Sequence, residues 1–487
     1  MKRIVIIGGG ISGLAAAHHL KELSARDYSP VDVLLLEATD RAGGVIQTEV
    51  RDGFVVERGP DAFISEKPEA LSLACRLGLN HHLIETNPLH RRSFIARKNR
   101  LLPVPEGFQL LAPSRLLPFL NTEIFSWSGK ARMALDLVLP RRKSANATDD
   151  ESLAAFVRRR LGQEALERMA QPMVGGIYTA DPELLSLRAT MPRFLEMEHK
   201  YRSLLRAMWH ARRSQSKIEA SGTSGARYSL FLSFDGGMQM LVDRLISELP
   251  EDCLRLNTRA ESLAFETRTK RWSIRTGPDE TIEADAVCIA LPAYATAALL
   301  HDLDAQLASE LAAIPYASTA TVNLAYRRAD IPHPLDGFGF VVPFLERRTT
   351  LACSFSSIKF AGRAPEGCVL LRAFVGGALQ PEMFALGEEA MVAAVRKDLY
   401  ELLGVDKPPL FFVVQKWPNS MAQYHIGHLD RVDRINKRVG AFETLQLAGN
   451  AYGGAGIPDC IRSGELAAKE LLTVLESGAI EHKVVLN

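Results

Sequence analysis

The sequence predicts an α/β fold in which a parallel sheet, an antiparallel sheet and a helical insertion form separate parts. The chain begins with an apolar, β-branched run over residues 4–7, which leads into three spaced glycines and then into helix-forming residues from Leu14. A second apolar run, residues 33–36, follows that helix. Strand, turn, helix and strand in this order are typical of a parallel βαβ unit. Short strand-like runs and one helical segment, Glu388–Leu403, favour a separate antiparallel lobe further along the chain.

The three glycines are expected to have separate roles. Gly8 permits the tight turn, Gly10 lets a diphosphate approach the backbone, and Gly13 lets the helix pack closely on the strand. The diphosphate would then bind the unpaired N–H groups of the first helical turn, at Ile11 and Ser12. Glu37 ends the second strand, where a carboxylate can accept hydrogen bonds from a ribose hydroxyl. The unit therefore predicts a dinucleotide site.

The residues after Glu37 indicate which dinucleotide is bound. Ala38, Arg41, Gly43 and Gly44 complete an E-x-x-x-R-x-G-G run, which is similar to the second fingerprint of FAD-binding oxidases of the glutathione-reductase type. The glycine pair would lie against the diphosphate while the arginine supplies positive charge. The alternative is an ordinary surface turn. We expect a Rossmann-like FAD-binding domain, with non-covalent FAD because neither His nor Cys occupies an evident flavin-linking position.

The C-terminal part of the chain is expected to complete the cofactor site. A strand from Leu445 ends at Gly449 and Asn450, and a glycine-rich stretch to Gly456 leads into a helix that runs to about residue 475. Such a helix N-terminus would stabilise negative charge at the pyrimidine end of a reduced flavin. A plain Schellman-type loop is the alternative. A strand over residues 254–264 would bring Ala260 near the adenine.

Length and composition predict a soluble, multidomain enzyme. The 487 residues are 47% hydrophobic and 24% charged, enough to bury large cores. The best apolar window, residues 284–300, contains Asp285 and Pro292, so no transmembrane helix is expected. The six scattered cysteines suggest neither disulfides nor a metal site, and favour a cytoplasmic location. The predicted domains are a discontinuous FAD-binding domain (1–90, 218–293 and 414–476), a helical basic domain (91–217), a substrate-binding domain (294–413) and a C-terminal tail (477–487).

Positive charge is concentrated in residues 91–217, where 23 Lys and Arg side chains stand against 12 Asp and Glu, a balance of +11. Three interpretations stay open: a solvated face, a pocket for an anionic substrate, or a patch that contacts a membrane surface. Nucleic-acid binding is not expected, because the basic residues lack interleaved aromatics. The segment predicts helices at Glu123–Leu139, Ser152–Arg168 and Phe194–Arg212, and an exposed loop at residues 144–150 that ends in a helix cap.

These motifs, together with residues 57–61, 171–178 and 449–461, make nearly the whole chain similar to the porphyrinogen oxidases of haem synthesis, within the FAD-dependent amine oxidase-like superfamily. The segments Glu-Arg-Gly-Pro and Gly-Gly-Ile-Tyr are the most specific part of the resemblance. The chain is closest to the soluble bacterial type. That resemblance implies oxidation of coproporphyrinogen III rather than protoporphyrinogen IX, with O2 as acceptor and release of H2O2. It leaves open a peripheral membrane contact and handover of the product to a ferrochelatase.

The resemblance also implies which residues contact FAD beyond the first two motifs. Ala62 stands where a polar residue is common in the family, so a side-chain hydrogen bond is not expected there. The implied FAD contacts are Gly59, Pro60, Asp61, Ala62, Ala260, Trp417, Gly449, Asn450, Gly456, Ile457 and Pro458.

No catalytic side chain is expected, since a porphyrinogen meso carbon can give hydride to flavin N5 once it is oriented. Lys67 either holds a substrate propionate or is a solvated lysine at a helix start. Arg92 and Arg97 lie where the family offers cationic anchors. Ile177, Tyr178 and Phe340 either belong to the core or form apolar walls for a flat macrocycle. A flavin amine oxidase, with Tyr452 and Trp417 as its aromatic pair, and a non-catalytic flavoprotein are the alternative functions.

Overall fold

The computed structural model describes residues 1–27, 30–109, 111–142, 150–215 and 231–485. The predicted loop at 144–150 lies outside the described residues except for Asp150. The strands are β1 (Lys2–Ile7), β2 (Val31–Leu36), β3 (Thr48–Arg51), β4 (Phe54–Glu57), β5 (Phe63–Ile64), β6 (Leu83–Glu85), β7 (Phe94–Arg97), β8 (Arg100–Pro103), β9 (Phe108–Gln109), β10 (Ala112–Pro113), β11 (Phe231–Phe234), β12 (Leu254–Arg255), β13 (Ser262–Glu266), β14 (Arg271–Arg275), β15 (Thr281–Ala284), β16 (Ala286–Ile289), β17 (Tyr316–Arg327), β18 (Gly339–Val341), β19 (Thr350–Phe355), β20 (Cys368–Gly376), β21 (Phe411–Ala422) and β22 (Leu445–Leu447).

Eight of the helices, α3 to α10, follow one another between β10 and β11, and Leu166–Ala170 forms a π-helical turn between α6 and α7. They are α1 (Ile11–Asp27), α2 (Pro68–Arg76), α3 (Leu116–Asn121), α4 (Trp127–Ala134), α5 (Leu153–Arg160), α6 (Gln163–Ala165), α7 (Gln171–Tyr178), α8 (Leu187–Thr190), α9 (Pro192–Tyr201), α10 (Leu204–Gln215), α11 (Gln239–Glu248), α12 (Ala293–Leu300), α13 (Ala305–Ala312), α14 (Ser356–Lys359), α15 (Pro381–Ala385), α16 (Glu388–Leu403), α17 (His428–Val439) and α18 (Ile457–Val485).

A five-stranded sheet in the order β12-β2-β1-β16-β22 is parallel throughout. Its central strand β1 is apolar on both sides, because both faces are covered. Ile4 and Ile6 face a core shared with α1, α2, α11 and α18. Val5 and Ile7 face a second core formed with the antiparallel sheet β13-β14-β15 and with α12 and α13. This confirms the mixed α/β class predicted from the sequence.

Two glycines let the helices on the first face approach closely. A Cβ at Gly13 would overlap the carbonyl oxygen of Gly8, so α1 begins directly against the turn that follows β1. A Cβ at Gly464 would overlap the carbonyl oxygen of Ser12, so α18 crosses α1 with backbone near backbone. The N-terminal ends of α1 and α18 therefore lie side by side.

The second large sheet has seven strands in the order β21-β17-β20-β19-β18-β7-β8. One face packs on α16 through apolar residues such as Val322 and Leu371. The other face carries Thr321, Asn323 and Arg372, whose side chains bond to the segment that follows β4. This face is turned toward β4 and the segment that follows it, and we call it the inner face.

The strand pairing cuts across the domain boundaries predicted from the sequence. Residues 94–103 and 411–422 form strands of the seven-stranded sheet, whereas the predicted boundaries place residues 94–103 in the helical domain and residues 414–422 in the FAD-binding domain. Helices α12 and α13 pack on the parallel sheet, although they were assigned to the substrate domain. Sequence patterns identify strands but not their partners, and here β7 is drawn into the sheet by parallel pairing with β18.

The predicted strand over residues 254–264 is wrong in one respect. The segment forms two short strands in different sheets, because the backbone turns at Asn257, which adopts φ +52°. Strand β12 pairs with β2 in the parallel sheet, and β13 pairs with β14 in the antiparallel one. Ala260 lies between them.

The helical segment is more broken than predicted. Ser126 and Ser152 cap α4 and α5 by accepting hydrogen bonds from Gly129 N and Ala155 N, both at 3.0 Å. The helix expected from Glu123 thus begins later, and the cap of α5 is Ser152 rather than the loop before it. The helix expected over Phe194–Arg212 is divided into α9 and α10 at Arg202, which adopts φ +60°.

We expect the substitution Gly464→Ala to lower the free energy of unfolding by about 1–3 kcal/mol, because the new methyl group must push α18 away from the Ser12 carbonyl. Chemical denaturation of the variant measures this. Gly277→Ala is the matched control, since a Cβ there meets no atom within 4 Å. Equal stability of the two variants would contradict the close packing of α1 and α18.

Candidate functional site

The first glycine motif forms an open cradle at the start of α1. Gly8 adopts φ +112°, and the first helical hydrogen bond runs from Leu14 N to Gly10 O at 2.9 Å. A Cβ at Gly10 would meet no atom within 4 Å. The space over Gly10 and the N–H groups of the following turn therefore fit the diphosphate of a dinucleotide.

The second motif lies directly on this cradle. Gly43 N donates to Gly9 O at 2.8 Å, and a Cβ at Gly44 would come within 3.3 Å of the Cα of Gly10. Arg41 donates to the carbonyl oxygens of Gly44 and Ile46 at 2.7 and 2.5 Å. The guanidinium thus closes the loop around the cradle. Its predicted role as a charge for the diphosphate stays a prediction.

Glu37 holds the same cradle from the side of β2. One carboxylate oxygen accepts from Gly9 N at 2.8 Å, and the other accepts from the N–H and the hydroxyl of Thr39 at 2.9 and 2.8 Å. Its carbonyl oxygen accepts from Thr258 N at 2.8 Å, which brings the segment that ends in Ala260 to this end of the sheet. The exposed Ala38 follows Glu37. Glu37 therefore shapes the loop, and its bond to a ribose stays a prediction.

The segment after β4 joins the cradle to the seven-stranded sheet. A Cβ at Gly59 would overlap the carbonyl oxygen of Val45, which places this segment against the second motif. The carbonyl oxygen of Arg58 accepts from Trp417 Nε1 at 2.9 Å and from Thr321 Oγ1 at 3.0 Å. The predicted contacts Gly59, Pro60, Asp61, Ala62 and Trp417 are thus brought together between the second motif and the inner face of the seven-stranded sheet.

A group of buried charges surrounds this segment. The Asp61 carboxylate lies 2.9 Å from Lys359 Nζ and 3.6 Å from an Arg372 nitrogen. Burial acts to raise the pKa of Asp61, but these two cations outweigh it and hold the pKa well below its ordinary value. Burial raises the pKa of Glu57, which accepts hydrogen bonds from Met238 N at 2.8 Å and Thr48 Oγ1 at 2.7 Å.

Arg372 and Asn323 are functional candidates that the sequence reasoning missed. They are cross-strand neighbours on the inner face, and Arg372 is 3% exposed. Arg372 donates to Gly59 O, while its Nε and the side-chain oxygen of Asn323 have no hydrogen-bond partner among the described residues. Buried polar atoms without partners fit a site that a cofactor or substrate completes. The signal was the single arginine in the otherwise apolar strand β20.

The C-terminal glycine-rich loop, residues 449–456, is held in place by side chains. The Tyr424 hydroxyl donates to Asn450 O at 2.6 Å and accepts from Gly454 N at 3.0 Å. Gly449 N donates to Ser463 Oγ at 3.1 Å. The loop leads into α18 at Ile457 and Pro458, beside the start of α1. The structure therefore brings Asn450, Gly456, Ile457 and Pro458 to the same end of the molecule as the cradle.

The residues predicted to form apolar walls lie in two different places. Ile177 is 36% exposed, and Tyr178 O accepts from Gln423 Nε2 at 3.2 Å, so the end of α7 lies next to Tyr424 and the glycine-rich loop. Phe340 does not face this space. It is 2% exposed and packs with Phe355 in the core under α16. Side chains alternate along a strand, so its neighbour Val341 faces α7 instead.

Arg92 and Arg97 lie near the edge of the seven-stranded sheet formed by β7 and β8, on or beside β7. That strand is separated from β20 by two others, a distance of about 14 Å. Arg92 forms an ion pair with Asp336 and lines a cleft of about 680 Å³ along β8. Arg97 donates to the carbonyl oxygen of Ile124 at 3.2 Å. The structure therefore does not bring these two arginines to the glycine-rich loop.

Lys67 lies just before α2 and reaches the first turn of α18. Its ammonium binds both oxygens of Asp459, at 2.7 and 2.6 Å. Lys67 is thus close to the glycine-rich loop and its charge is already paired, so its role as a ligand for a substrate propionate stays a prediction.

With this geometry in hand, comparison with known proteins identifies the family. The model of the flavin-containing amine oxidoreductases matches residues 11–472. The chain belongs to this family. Its cofactor is accordingly FAD, and the open cradle over Gly10 fits that group.

Individual relatives cover nearly the whole chain. It is 34% identical to the coproporphyrinogen III oxidase of Bacillus subtilis (strain 168), over 98% of this chain and 99% of the relative. It is 27% identical to the mitochondrial protoporphyrinogen oxidase of Nicotiana tabacum, over 99% and 97%. The crystal structure of a proposed protoporphyrinogen oxidase from Exiguobacterium sp. 255-15 superimposes with a TM-score of 0.84 at 30% identity, covering 96% of this chain and 98% of the other. Within the described ranges, no helix is both long and apolar enough to span a membrane.

We expect Gly10→Val to abolish binding of FAD while the protein still folds, because the valine side chain enters the open space that the diphosphate would occupy. Titration of the apoprotein with FAD should show a loss of at least about a hundredfold, on the order of 3 kcal/mol. Gly277→Val is the matched control, as it also adds a side chain to open space. A folded Gly10→Val protein that binds FAD normally would place the diphosphate elsewhere.

The buried His428 predicts a pH dependence of stability. Its ring stacks on Tyr424 with centroids 4.1 Å apart, and burial, with Arg431 and His425, lowers its pKa to about 4. The unfolded chain binds a proton at about pH 6.5. The unfolded state therefore binds more protons between these values, so stability falls as the pH is lowered from about 6.5 to about 4, by about 1–3 kcal/mol.

Chemical denaturation at a series of pH values measures this effect. The variant His428→Asn should show a shallower decline over that window, while His301→Asn, which changes an exposed histidine, should keep the wild-type slope. Parallel curves for wild type and His428→Asn would rule out a neutral, buried His428.

Proposed function

We propose that the chain oxidises coproporphyrinogen III to coproporphyrin III, with FAD as cofactor and O2 as electron acceptor. The observation that carries this is the 34% identity to the Bacillus subtilis coproporphyrinogen III oxidase, which extends over 98% of the chain. Protoporphyrinogen IX is the alternative substrate, since the mitochondrial protoporphyrinogen oxidase of Nicotiana tabacum is 27% identical over a similar length. The parallel sheet with its two glycine motifs would be a Rossmann-like domain of the glutathione-reductase type.

When bound, FAD supplies an acceptor for hydride from a meso carbon and passes the electrons to O2, which is released as H2O2. Coproporphyrinogen III loses six electrons and six protons in becoming the porphyrin, so three O2 are reduced to three H2O2. The pyrrole protons can leave to water. The protein is therefore not required to provide a general base, and its main task is orientation.

The inner face and the end of α7 are suited to that task. Ile177 is exposed beside Tyr178, and both lie next to Tyr424, which holds the glycine-rich loop. We place the macrocycle between these residues and the FAD. The pairing of Asp61 with Lys359 and Arg372 would hold the segment after β4 at a fixed distance from the inner face, because breaking a buried ion pair costs about 3–5 kcal/mol.

Cationic anchors for the propionates are a further part of the proposal. Arg92 and Arg97 remain candidates, but each would have to exchange its present acceptor, Asp336 for Arg92 and the carbonyl oxygen of Ile124 for Arg97. Arg372 is the better placed cation, since it lies on the inner face and keeps an unpartnered Nε beside its contacts with Asp61 and the carbonyl oxygen of Gly59.

Flavin amine oxidase activity is the second candidate function, and the family match favours it. The positions of the two aromatic residues expected for an amine oxidase give less support to this function. Trp417 donates to the backbone at Arg58, and Tyr452 packs against the core on the far side of the parallel sheet.

Location and partners remain proposals. We propose a cytoplasmic protein that passes its porphyrin to a ferrochelatase. The exposed side chains of Leu117, Trp127 and Val138 in the helical segment support a peripheral contact with a membrane surface.

We expect the purified protein to oxidise coproporphyrinogen III with a higher kcat/KM than protoporphyrinogen IX, because it is 32–35% identical over 96–98% of its length to three coproporphyrinogen III oxidases. Porphyrin fluorescence and H2O2 release are measured for both substrates and for a panel of amines. A preference for protoporphyrinogen IX would overturn the proposed substrate but not the proposed oxidase activity. Release of H2O2 with amines but with neither porphyrinogen would show that the protein is an amine oxidase rather than a porphyrinogen oxidase.

The variant Ile177→Asp tests where the macrocycle lies. A carboxylate there should raise the KM for both porphyrinogens and leave FAD binding unchanged. Leu184→Asp is the matched control, because Leu184 is also an exposed apolar residue but belongs to the turn after α7. Similar kinetics for the two variants would contradict the placement.

A further inference from the structure

Four charged side chains meet where α2, α18 and the glycine-rich loop converge. Asp459, in the first turn of α18, is bound by Lys67 Nζ at 2.7 and 2.6 Å and by an Arg462 nitrogen at 2.7 Å. Arg462 also lies 3.2 Å from Glu69 of α2. Asp459 is 4% exposed, whereas the side chain of Lys67 is 44% exposed. The buried member of the network is thus the carboxylate, and the two cations cover it.

The same carboxylate fills the inside of the glycine-rich loop. A Cβ at Gly454, which adopts φ +133°, would overlap the carboxyl group of Asp459, and a Cβ at Gly456 would lie 3.2 Å from one of its oxygens. Arg462 donates to Gly453 O at 3.1 Å from the other side. The loop is therefore wrapped around the side chain of Asp459, and its shape depends on that side chain staying in place.

The network also explains the position of Lys67. It stands at the N-terminal end of α2, where a positive charge is unfavourable because it meets the positive end of the helix dipole. The ammonium instead binds the buried carboxylate of Asp459, whose other counterion is Arg462. A buried carboxylate that loses its counterion is costly, by several kcal/mol in comparable cases.

We propose that Asp459, with Lys67 and Arg462 as counterions, is a positioning group that fixes the glycine-rich loop and the first turn of α18 in the shape that receives the pyrimidine end of the flavin. This inference rests on the proposed function only in placing the flavin ring beside the loop, and it is independent of which substrate is oxidised. Lys67 then serves the cofactor rather than a propionate of the substrate.

The test measures cofactor affinity directly. Apoprotein of Lys67→Met and of Asp459→Asn is titrated with FAD, and the visible absorption bands of the bound flavin are recorded. Each variant should bind FAD about tenfold more weakly or worse, the scale for losing a hydrogen bond to a charged group. The flavin bands should shift, because the loop around the pyrimidine ring changes. Lys67→Arg should restore most of the affinity.

The double variant Lys67→Met/Asp459→Asn shows whether the two residues act on FAD affinity together, as a network, or independently. Its loss of affinity should be clearly smaller than the product of the two single losses, since it leaves no carboxylate without its counterion. Lys469→Met is the matched control, because it removes an exposed lysine from α18 farther along the helix, and it should bind FAD like the wild type.

Two results would overturn the inference. One is normal FAD affinity and an unchanged flavin spectrum in Lys67→Met together with a raised KM for coproporphyrinogen III alone, which would make Lys67 a propionate ligand. The other is a lowered melting temperature of the apoprotein with unchanged FAD affinity, which would make the network purely structural. If the wild type oxidised no porphyrinogen but the variants lost FAD affinity as expected, the proposed function would fail and this inference would stand.

Discussion

The close approach of α1 and α18 is the constraint on which the rest of the site depends. Because Gly464 has no side chain, the two helices meet at the Ser12 carbonyl, and their N-terminal ends lie together at one edge of the parallel sheet. Two helix dipoles therefore present their positive ends to the same region. An elongated cofactor with an anionic diphosphate at one point and an electron-accepting ring at another can use both.

Buried charge then ties this region to the second sheet. The segment from Glu57 to Asp61 touches the second glycine motif on one side and Thr321, Arg372 and Trp417 on the other. Apolar packing could hold two sheets together but would tolerate sliding. Ion pairs and hydrogen bonds between buried groups have strict geometry, so they fix the position of this segment on the inner face.

The chemistry proposed for this protein makes modest demands on individual side chains. Hydride transfer from a porphyrinogen is driven by the gain of aromaticity, and the cofactor provides the acceptor. The remaining task of the protein is to hold a large apolar ring with charged rims in the correct position relative to the flavin. The glycine-rich loop, the end of α7 and the inner face of the seven-stranded sheet are the elements that we propose for this orientation.

The sequence by itself determined the local part of this structure. The cradle at Gly8, Gly10 and Gly13, the strand that ends in Glu37 and the helix Glu388–Leu403 follow from patterns a few residues long, and the observed elements agree with them. Tertiary structure decided what depends on partners far apart in the chain. Only strand pairing shows that Phe340 faces the α16 core, that β7 joins β18, and that Arg372 meets Gly59. The same holds for Lys67, whose partner Asp459 is 392 residues away. A sequence pattern reports which residues are apolar or charged, but the distance between two charges is set by the packing of the whole fold.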